Sequence, residues 1–296
     1  MIDLTGRVAI VTGAGGGLGR SHALLLARRG ARVVVNDLGD DAESVVGEIN
    51  DAGGIARASQ GSVTDASFVQ RMVRTAVNEW GRVDILVNNA GILRDKSFAN
   101  MDLSDFHLVL DVHLMGAANC TKAVWEQMRT QGYGRIVMTT SSSGLYGNFG
   151  QANYSAAKMA LVGLMQTLAL EGARYDIRVN CVAPTAYTQM MKDILPQKQQ
   201  ALLRTELVSP AVLALVSEHA PTRAIVCAGG GSYELANITL TQGIHLPDET
   251  TAAESLIAHW KQVADRRGDF VPEQAFDQSR HELKKAGFVL ADAQAT

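Results

Sequence analysis

Short apolar runs alternate with amphipathic stretches from Arg7 to Ala228. Arg7-Val8-Ala9-Ile10-Val11-Thr12 is a strand-like run that breaks at Gly13-Ala14-Gly15-Gly16-Gly17-Leu18-Gly19. A helical pattern fills 18–29 and stops at Gly30, and Ala31-Arg32-Val33-Val34-Val35-Asn36 reads as a second strand ending on Asp37. The cycle repeats with helix 41–52, strand 55–59, helix 65–79 and strand 83–88, then helix 104–129, strand 135–140, helix 152–174, strand 177–183, helix 206–218 and strand 224–228. Short β-branched strands alternating with helices predict an α/β fold, a parallel sheet covered on both faces. Right-handed crossovers make that sheet doubly wound. From Leu246 the chain turns polar, with helical patterns over 251–266 and 273–286. We therefore expect a catalytic domain over 1–245 and an appended helical tail over 246–296. Leu256, Trp260 and Val263 lie at i, i+4, i+7, which predicts one ordered helix with Trp260 buried.

Composition narrows the function without naming it. The chain has 296 residues, 47% of them hydrophobic, enough to bury a sizeable core, and a net charge of −3. That charge offers no basic field for nucleic acid or an anionic membrane. No apolar run is long enough to span a bilayer. Cys120, Cys181 and Cys227 share no metal-ligand spacing and sit in apolar runs, as buried thiols of a reducing compartment do, and we expect no metal. Asp3 and Arg7 interrupt any secretory signal, and Gln294-Ala295-Thr296 is not a peroxisomal tripeptide, so the expectation is a cytoplasmic protein.

Two motifs carry chemistry. Thr12-Gly13-x-x-x-Gly17-x-Gly19 follows a predicted strand and opens a helix. Gly13 permits the tight turn, Gly17 lets backbone approach a pyrophosphate, and Gly19 lets helix pack on strand. The helix N-terminus then offers free N–H groups to phosphates. Asp37, at the end of the second strand, accepts from ribose hydroxyls and repels a 2′-phosphate, which favours NAD over NADP. Ala14, Gly15 and Gly16 bring no cation to the loop; Arg20 lies just beyond it. The second motif is Tyr154-Ser155-Ala156-Ala157-Lys158, preceded across a Gly-rich loop by Ser141. Tyr and Lys at i, i+4 share one helix face. A phenol near pKa 10 moves protons poorly at neutral pH unless a nearby positive charge lowers that value.

These residues, with Asn88-Asn89-Ala90-Gly91 and Asn180 through Pro184, resemble the short-chain dehydrogenase/reductase family from about Gly6 to Ser232. The resemblance implies a Rossmann fold with a C-terminal helical extension. It implies that Ser141 orients the carbonyl or alcohol oxygen, Tyr154 transfers the proton, and Lys158 binds the nicotinamide ribose and lowers the tyrosine pKa. It places the cofactor against Thr12, Gly13, Gly17, Leu18, Gly19, Asp37, Ser62, Val63, Asn89, Ala90, Gly91, Pro184 and Thr188, with Tyr154 and Lys158. Within the family, Val35 to Gly39, Asn89 to Phe98 and Tyr146 to Lys158 are similar to the (3R)-hydroxyacyl-CoA dehydrogenase units of peroxisomal multifunctional enzymes of type 2, also known as 17β-hydroxysteroid dehydrogenases type 4. The tail, with His259-Trp260-Lys261, is similar as well.

Three positions depart from the wider family pattern. His113 stands where many members have a fourth catalytic residue, an asparagine; it either carries a water relay to Lys158 or packs and satisfies a backbone group. Ser62 stands where an aspartate often contacts adenine, and Thr185 replaces a glycine after Pro184. Arg94 and Lys96 either meet CoA phosphates or are ordinary surface cations. Met190, Met191 and Leu195 either line a lid over an acyl chain or belong to the core. The implied reaction is NAD-dependent oxidation of a (3R)-hydroxyacyl-CoA, or its reverse. The same chemistry on a 17β-hydroxysteroid, a steroid side-chain acyl-CoA or a 3-oxoacyl carrier-protein thioester is the first rival. A non-catalytic NAD-binding sensor is the second. Partners are a small-molecule substrate and, by pairing of helices 104–129 and 152–174, further copies of the chain in a homodimer or homotetramer. Val109, Leu110, Leu114, Val124 and Met128 on one helix and Leu161, Leu164, Met165 and Leu168 on the other are expected to carry that pairing.

Overall fold

Consecutive residues of a strand face opposite sides of a sheet, so a strand apolar at every position needs cover on both. That is the condition of β1 (Val8–Thr12), β2 (Arg32–Asp37), β4 (Ile85–Asn88) and β5 (Gly134–Thr139), whose interior residues are buried throughout. The computed structural model describes residues 1–187 and 197–288. With β3 (Ile55–Gln60), β6 (Ile177–Thr185), β7 (Ile225–Gly229) and β8 (Ser232–Ala236), these strands form an eight-stranded sheet in the order 3-2-1-4-5-6-7-8. All pairs are parallel except β7 with β8. The strand order reverses between β1 and β4, the crevice where open α/β sheets bind ligands.

Helices cover the two faces. Val11, Val33, Val35 and Val87 pack against α1 (Gly17–Arg28), α2 (Asp41–Asp51) and α9 (Ser209–Leu215) through Leu26, Val45, Ile49 and Val212. Ile10, Val34, Leu86, Ile136 and Met138 face α3 (Ala66–Trp80), α5 (Gly116–Gln131) and α7 (Ala152–Gly172) through Val69, Met72, Val124, Met128, Leu161 and Met165. Helix ends follow local chemistry. Asp65 caps α3 by accepting from the Ser67 and Phe68 amides, and Gly81 and Gly132 end α3 and α5 in the left-handed region. Burial pushes the Cys120 and Cys181 thiols up to about 12, so both stay protonated.

Several expectations are corrected. The helix predicted over 104–129 is three pieces: α4 (Leu103–Leu110), one π-helical turn (Asp111–Met115) and α5. The Gly-rich loop after β5 holds a short helix, α6 (Ser142–Tyr146). β8 was not foreseen. Gly230 and Gly231, at φ +59° and +83°, make the two-residue hairpin that returns it antiparallel to β7. Val109, Val124, Met128, Leu161 and Met165, expected to pair copies of the chain, are core residues at no more than 1% exposure; the apolar side chains left exposed on these elements are Leu103, Leu108, Met115, Met159 and Leu170.

The chain divides into two compact units, Met1–Ala236 and Asn237–Thr296; α8 (Gln197–Leu202) belongs to the first. The second holds α10 (Ala252–Ala258), α11 (Trp260–Val263) and α12 (Ala275–Lys285), joined by an antiparallel bridge between Leu240 and Phe270. The helix predicted over 251–266 breaks at His259, and Trp260 is 60% exposed rather than buried. The break ends the i, i+4, i+7 stripe that one continuous helix would have presented.

At the amino ends of the strands, charge is buried and fully engaged. Arg135 is completely buried; it donates to the carbonyl oxygens of Gly134, Asp176, Ser217 and Glu218, pairs with the Asp176 carboxylate at 3.1 Å and stacks 4.1 Å from the Tyr133 ring centre. Asp84, equally buried, accepts from the Val8 amide, Arg82 and Arg7. An Arg135→Met variant strands those carbonyls. It should lose about 3–5 kcal/mol of unfolding free energy, read from the urea midpoint.

Candidate active site

The carboxyl ends of the strands collect the predicted residues. β1 ends at Thr12 and α1 starts at Gly17, with Gly13 and Gly17 at φ +60° and +52°. A Cβ on Gly19 would lie 2.2 Å from the Gly13 carbonyl oxygen, and one on Gly13 would lie 2.8 Å from Ala90 Cα. Gly16, the cap of α1, makes no side-chain cap bond, and no acidic residue lies in the first turn. The first amides of α1 therefore keep their donors for an anion. This cradle fits a dinucleotide pyrophosphate, with Leu18 inside it on the first turn.

Asp37 sits at the end of β2, half-buried beside the loop. Its Oδ2 accepts from the Gly15 amide at 2.8 Å and its Oδ1 from the Leu38 amide at 2.7 Å. Arg20 does not face it as a spare cation: Glu48 takes its guanidinium in a two-pronged pair, which raises the arginine pKa and lowers that of the glutamate. Ser62 follows β3 and shares a hydroxyl contact of 2.7 Å with Thr64, while Val63 is buried.

The Asn88–Gly91 segment braces the loop. The Asn89 amide donates to the carbonyls of Thr12 and Gly13 at 2.9 and 3.0 Å, and the Asn89 and Ala90 amides donate to Thr12 Oγ1 at 3.0 and 3.1 Å. Asn89 thus spends its side chain on the turn itself. Gly91 leaves room for His113, whose Cε1 would lie 2.2 Å from a Cβ there.

Ser141, two residues past β5, stands in extended backbone as the cap of α6, accepting from the Ser143 amide at 3.2 Å. Tyr154 stands on the first turn of α7, and a Ser141 hydrogen bond acts on its phenol. Lys158 lies one turn on. It is 3% exposed, donates from Nζ to the Thr139 carbonyl at 2.6 Å, and stands 5.4 Å from the Tyr154 ring centre. A Cβ on Gly144 would lie 2.8 Å from Lys158 Cβ, so this glycine lets α6 close on α7. Burial raises the Tyr154 phenol, Ser141 lowers it, and the Asp95 charge raises it; burial lowers Lys158 to about 7.

His113 does satisfy backbone: Nε2 lies 3.0 Å from the Ile92 amide and 2.8 Å from its carbonyl. Its ring meets Tyr154 edge-on at 5.2 Å, and Nδ1 has no partner among the described residues. Burial first, then the Lys158 charge, lowers it to about 3, so it is neutral. With Lys158, Asn88 and Thr12 it lines a cavity of about 10 Å³, room for one water. Arg94 and Lys96 face acids: Arg94 lies 3.8 Å from Asp105, and Lys96 lies 3.2 and 3.5 Å from Asp102 and Asp105. Pro184 is the next-to-last residue of β6, and a Cβ added to Gly229 would press on Thr185 at 2.7 Å. Thr188, Met190, Met191 and Leu195 lie outside the described residues. The reading from sequence missed Thr139 and Thr140, which hold Lys158 by its ammonium and its carbonyl. Their only mark in sequence is polarity at the end of an apolar strand.

Known proteins agree with this geometry. The short chain dehydrogenase family profile matches residues 7–199. A peroxisomal hydratase-dehydrogenase-epimerase of Neurospora crassa is 46% identical over 93% of this chain and 31% of its own length. The full-length peroxisomal multifunctional enzyme type 2 of Drosophila melanogaster superposes with a TM-score of 0.82 at 38% identity, covering 96% of this chain and 50% of that one. The chain thus spans a third to a half of these relatives. A 7α-hydroxysteroid dehydrogenase complexed with NADH and 7-oxo glycochenodeoxycholic acid superposes with a TM-score of 0.72 at 31% identity over 78% of this chain and 95% of that one. The expected cytoplasmic placement is corrected by the relatives' names, which are those of peroxisomal enzymes in Neurospora, Saccharomyces, Drosophila and mouse. Glycine cradle, serine, tyrosine and lysine on one sheet edge, and likeness over most of the length, converge: this chain belongs to the short-chain dehydrogenase family, the oxidoreductases that act on a CH–OH group with a nicotinamide dinucleotide.

Proposed function

We propose that the chain interconverts a (3R)-hydroxyacyl-CoA and its 3-oxoacyl-CoA with NAD. The observation that carries this reading is the meeting of Ser141, Tyr154 and Lys158 beside a cradle whose ribose end is the Asp37 carboxylate. The acyl-CoA class rests on 46% identity, over 93% of the chain, to an enzyme named hydratase-dehydrogenase-epimerase. A steroid alcohol is the second reading, favoured by the structural likeness to a hydroxysteroid dehydrogenase.

Thr12, Gly13, Gly17, Leu18, Gly19 and Asp37 would hold the adenosine and pyrophosphate side, with Ser62, Val63, Asn89, Ala90 and Gly91 around it. The nicotinamide, when bound, takes up or supplies hydride. Ser141 donates to the reacting oxygen and fixes its place. Tyr154, as phenolate, removes the hydroxyl proton during oxidation and returns it during reduction. Lys158, 5.4 Å from the Tyr154 ring centre, carries the positive charge that favours the phenolate. His113 stays neutral and holds Ile92, which steadies the segment against Tyr154. Asp37 excludes a 2′-phosphate, and Glu48 keeps Arg20 from offering it a partner.

Three outcomes test this reading. Tyr154→Phe should lower kcat by about 10²-fold or more, with NAD affinity by fluorescence titration little changed. Asp37→Ala should weaken NAD and improve NADP in kcat/KM; a wild type that already prefers NADP sinks the cofactor assignment. A homodimer or homotetramer should form through the exposed Leu103, Leu108, Met115, Met159 and Leu170 faces, and light scattering that finds a monomer at micromolar concentration removes it. A kcat/KM panel over hydroxyacyl-CoAs and steroid alcohols separates the two substrate readings. Absence of turnover on every alcohol leaves a non-catalytic NAD-binding protein.

A further inference from the structure

We infer that Gln151 is a positioning residue for the Ser141–Tyr154 pair: its amide ties the segment after β4 to the segment after β5 beside the phenol and holds the serine hydroxyl and the first turn of α7 in register. The inference rests on the oxidoreductase reading above.

Gln151 is the residue before α7, yet its side chain does not cap that helix. Its Nε2 donates to Asp95 Oδ2 at 2.7 Å, in the segment after β4. Its Oε1 accepts from Ser143 Oγ at 2.8 Å and from Asn148 Nδ2 at 2.9 Å, both in the segment after β5. The Ser143 amide in turn donates to Ser141 Oγ at 3.2 Å. A carboxylate only accepts and an NH₂ only donates, so the surroundings fix which way the amide points. A side chain that donates on one end and accepts on the other is what this junction requires; neither leucine nor glutamate supplies both.

The same two segments are tied by backbone. The Lys96 amide donates to the Gly150 carbonyl at 2.9 Å, and Asn153 Nδ2 donates to the Arg94 carbonyl at 3.0 Å. Gly147 and Gly150, at φ +82° and +81°, turn the intervening loop back so that Gln151 reaches the junction. The Gln151 carbonyl accepts the Ser155 amide at 2.7 Å, which joins the network to the turn that carries Tyr154. With the Ser143 amide on one lone pair of Ser141, the serine O–H is left to turn toward a substrate oxygen. Misplacement of such a hydroxyl by about 1 Å can cost about 10² in rate. The groups facing Tyr154 are Lys158 on its own helix, neutral His113 on the π-turn, Ser141 two residues past β5 and the Asp95 carboxylate. Gln151 therefore also anchors the Asp95 carboxylate, whose charge raises the phenol.

Steady-state kinetics on the full chain, with the alcohol it turns over best, tests this. Gln151→Glu sets two carboxylates face to face and should lower kcat by about 10- to 100-fold at unchanged NAD affinity. Adding Asp95→Asn restores a donor–acceptor pair with its polarity reversed and should bring kcat back to within about threefold of wild type. Asp95→Ala lies on an exposed loop and should fold even where Gln151→Glu does not. It should lower kcat by about tenfold and, by removing the anion beside Tyr154, move the acid limb of the kcat/KM profile for oxidation to lower pH. Wild-type kcat in Gln151→Glu, a double variant no better than the single, or an Asp95→Ala profile that does not move overturns the positioning role alone. A wild-type chain that turns over no alcohol overturns the oxidoreductase reading and this role with it.

Discussion

A lysine ammonium taken out of water at the end of a parallel sheet is the constraint around which this site is built. Lys158 is almost wholly buried, and burial lowers it to about 7. Such a group is tolerated only with a hydrogen-bond partner close by. Thr139, the last residue of β5, supplies its carbonyl at 2.6 Å, and Thr140 Oγ1 ties the Lys158 carbonyl at the same distance. Those two bonds set where α7 starts relative to β5, and so where Tyr154 and Ser141 stand. Gly144 is bound by the same requirement, since any side chain there would push α6 off the lysine stem.

The two ends of the sheet treat polar groups differently. At the amino ends, Arg135 and Asp84 are buried but surrounded by partners. At the carboxyl ends, buried polar atoms go without. Of the five buried side-chain atoms lacking a partner among the described residues, four belong to Asn88, His113, Thr139 and Ser155, on the segments that carry or adjoin the tyrosine and lysine. Unsatisfied buried groups are few in folded proteins and each carries a cost in stability. Their clustering on one sheet edge, while the other edge is fully engaged, locates the site independently of any motif. His22 Nε2, the fifth, lies on α1 among core residues, where burial keeps the ring neutral.

Much of the unit over Met1–Ala236 was legible in sequence because its strands are short, apolar and punctuated by glycine, and because Gly13, Gly15 and Gly19 each have a steric reason visible in the loop. The elements that escaped reading have weak or misleading periodicity. β8 is an exposed edge strand, Ser-Tyr-Glu-Leu-Ala, whose pattern owes nothing to a buried face; only the Gly230-Gly231 turn announced it. The π-turn at Asp111–Met115 inserts itself in an otherwise continuous helical pattern, and no composition signal marks it. Apolar positions on α5 and α7 could be assigned to a partner or to the core from spacing alone, and the core took them. Trp260 was misread because an i, i+4, i+7 stripe presupposes an unbroken helix.

The site residues divide in the same way. Tyr154 and Lys158 are one turn apart, so local geometry already pairs them. Ser141, Asn89 and His113 come together only through the sheet, and a sequence offers their types but not their commitments. Asn89, expected against the cofactor, spends its side chain on the Thr12–Gly13 turn, and His113 is spent on Ile92. Gln151 has the least conspicuous signal of all, a polar residue in a polar loop, yet it ties together two segments that converge on the phenol. In this fold the reacting groups are announced by short motifs, whereas the groups that aim them are set by tertiary contacts between loops that follow different strands. Motif reading therefore finds the chemistry and leaves its alignment to be read from hydrogen bonds.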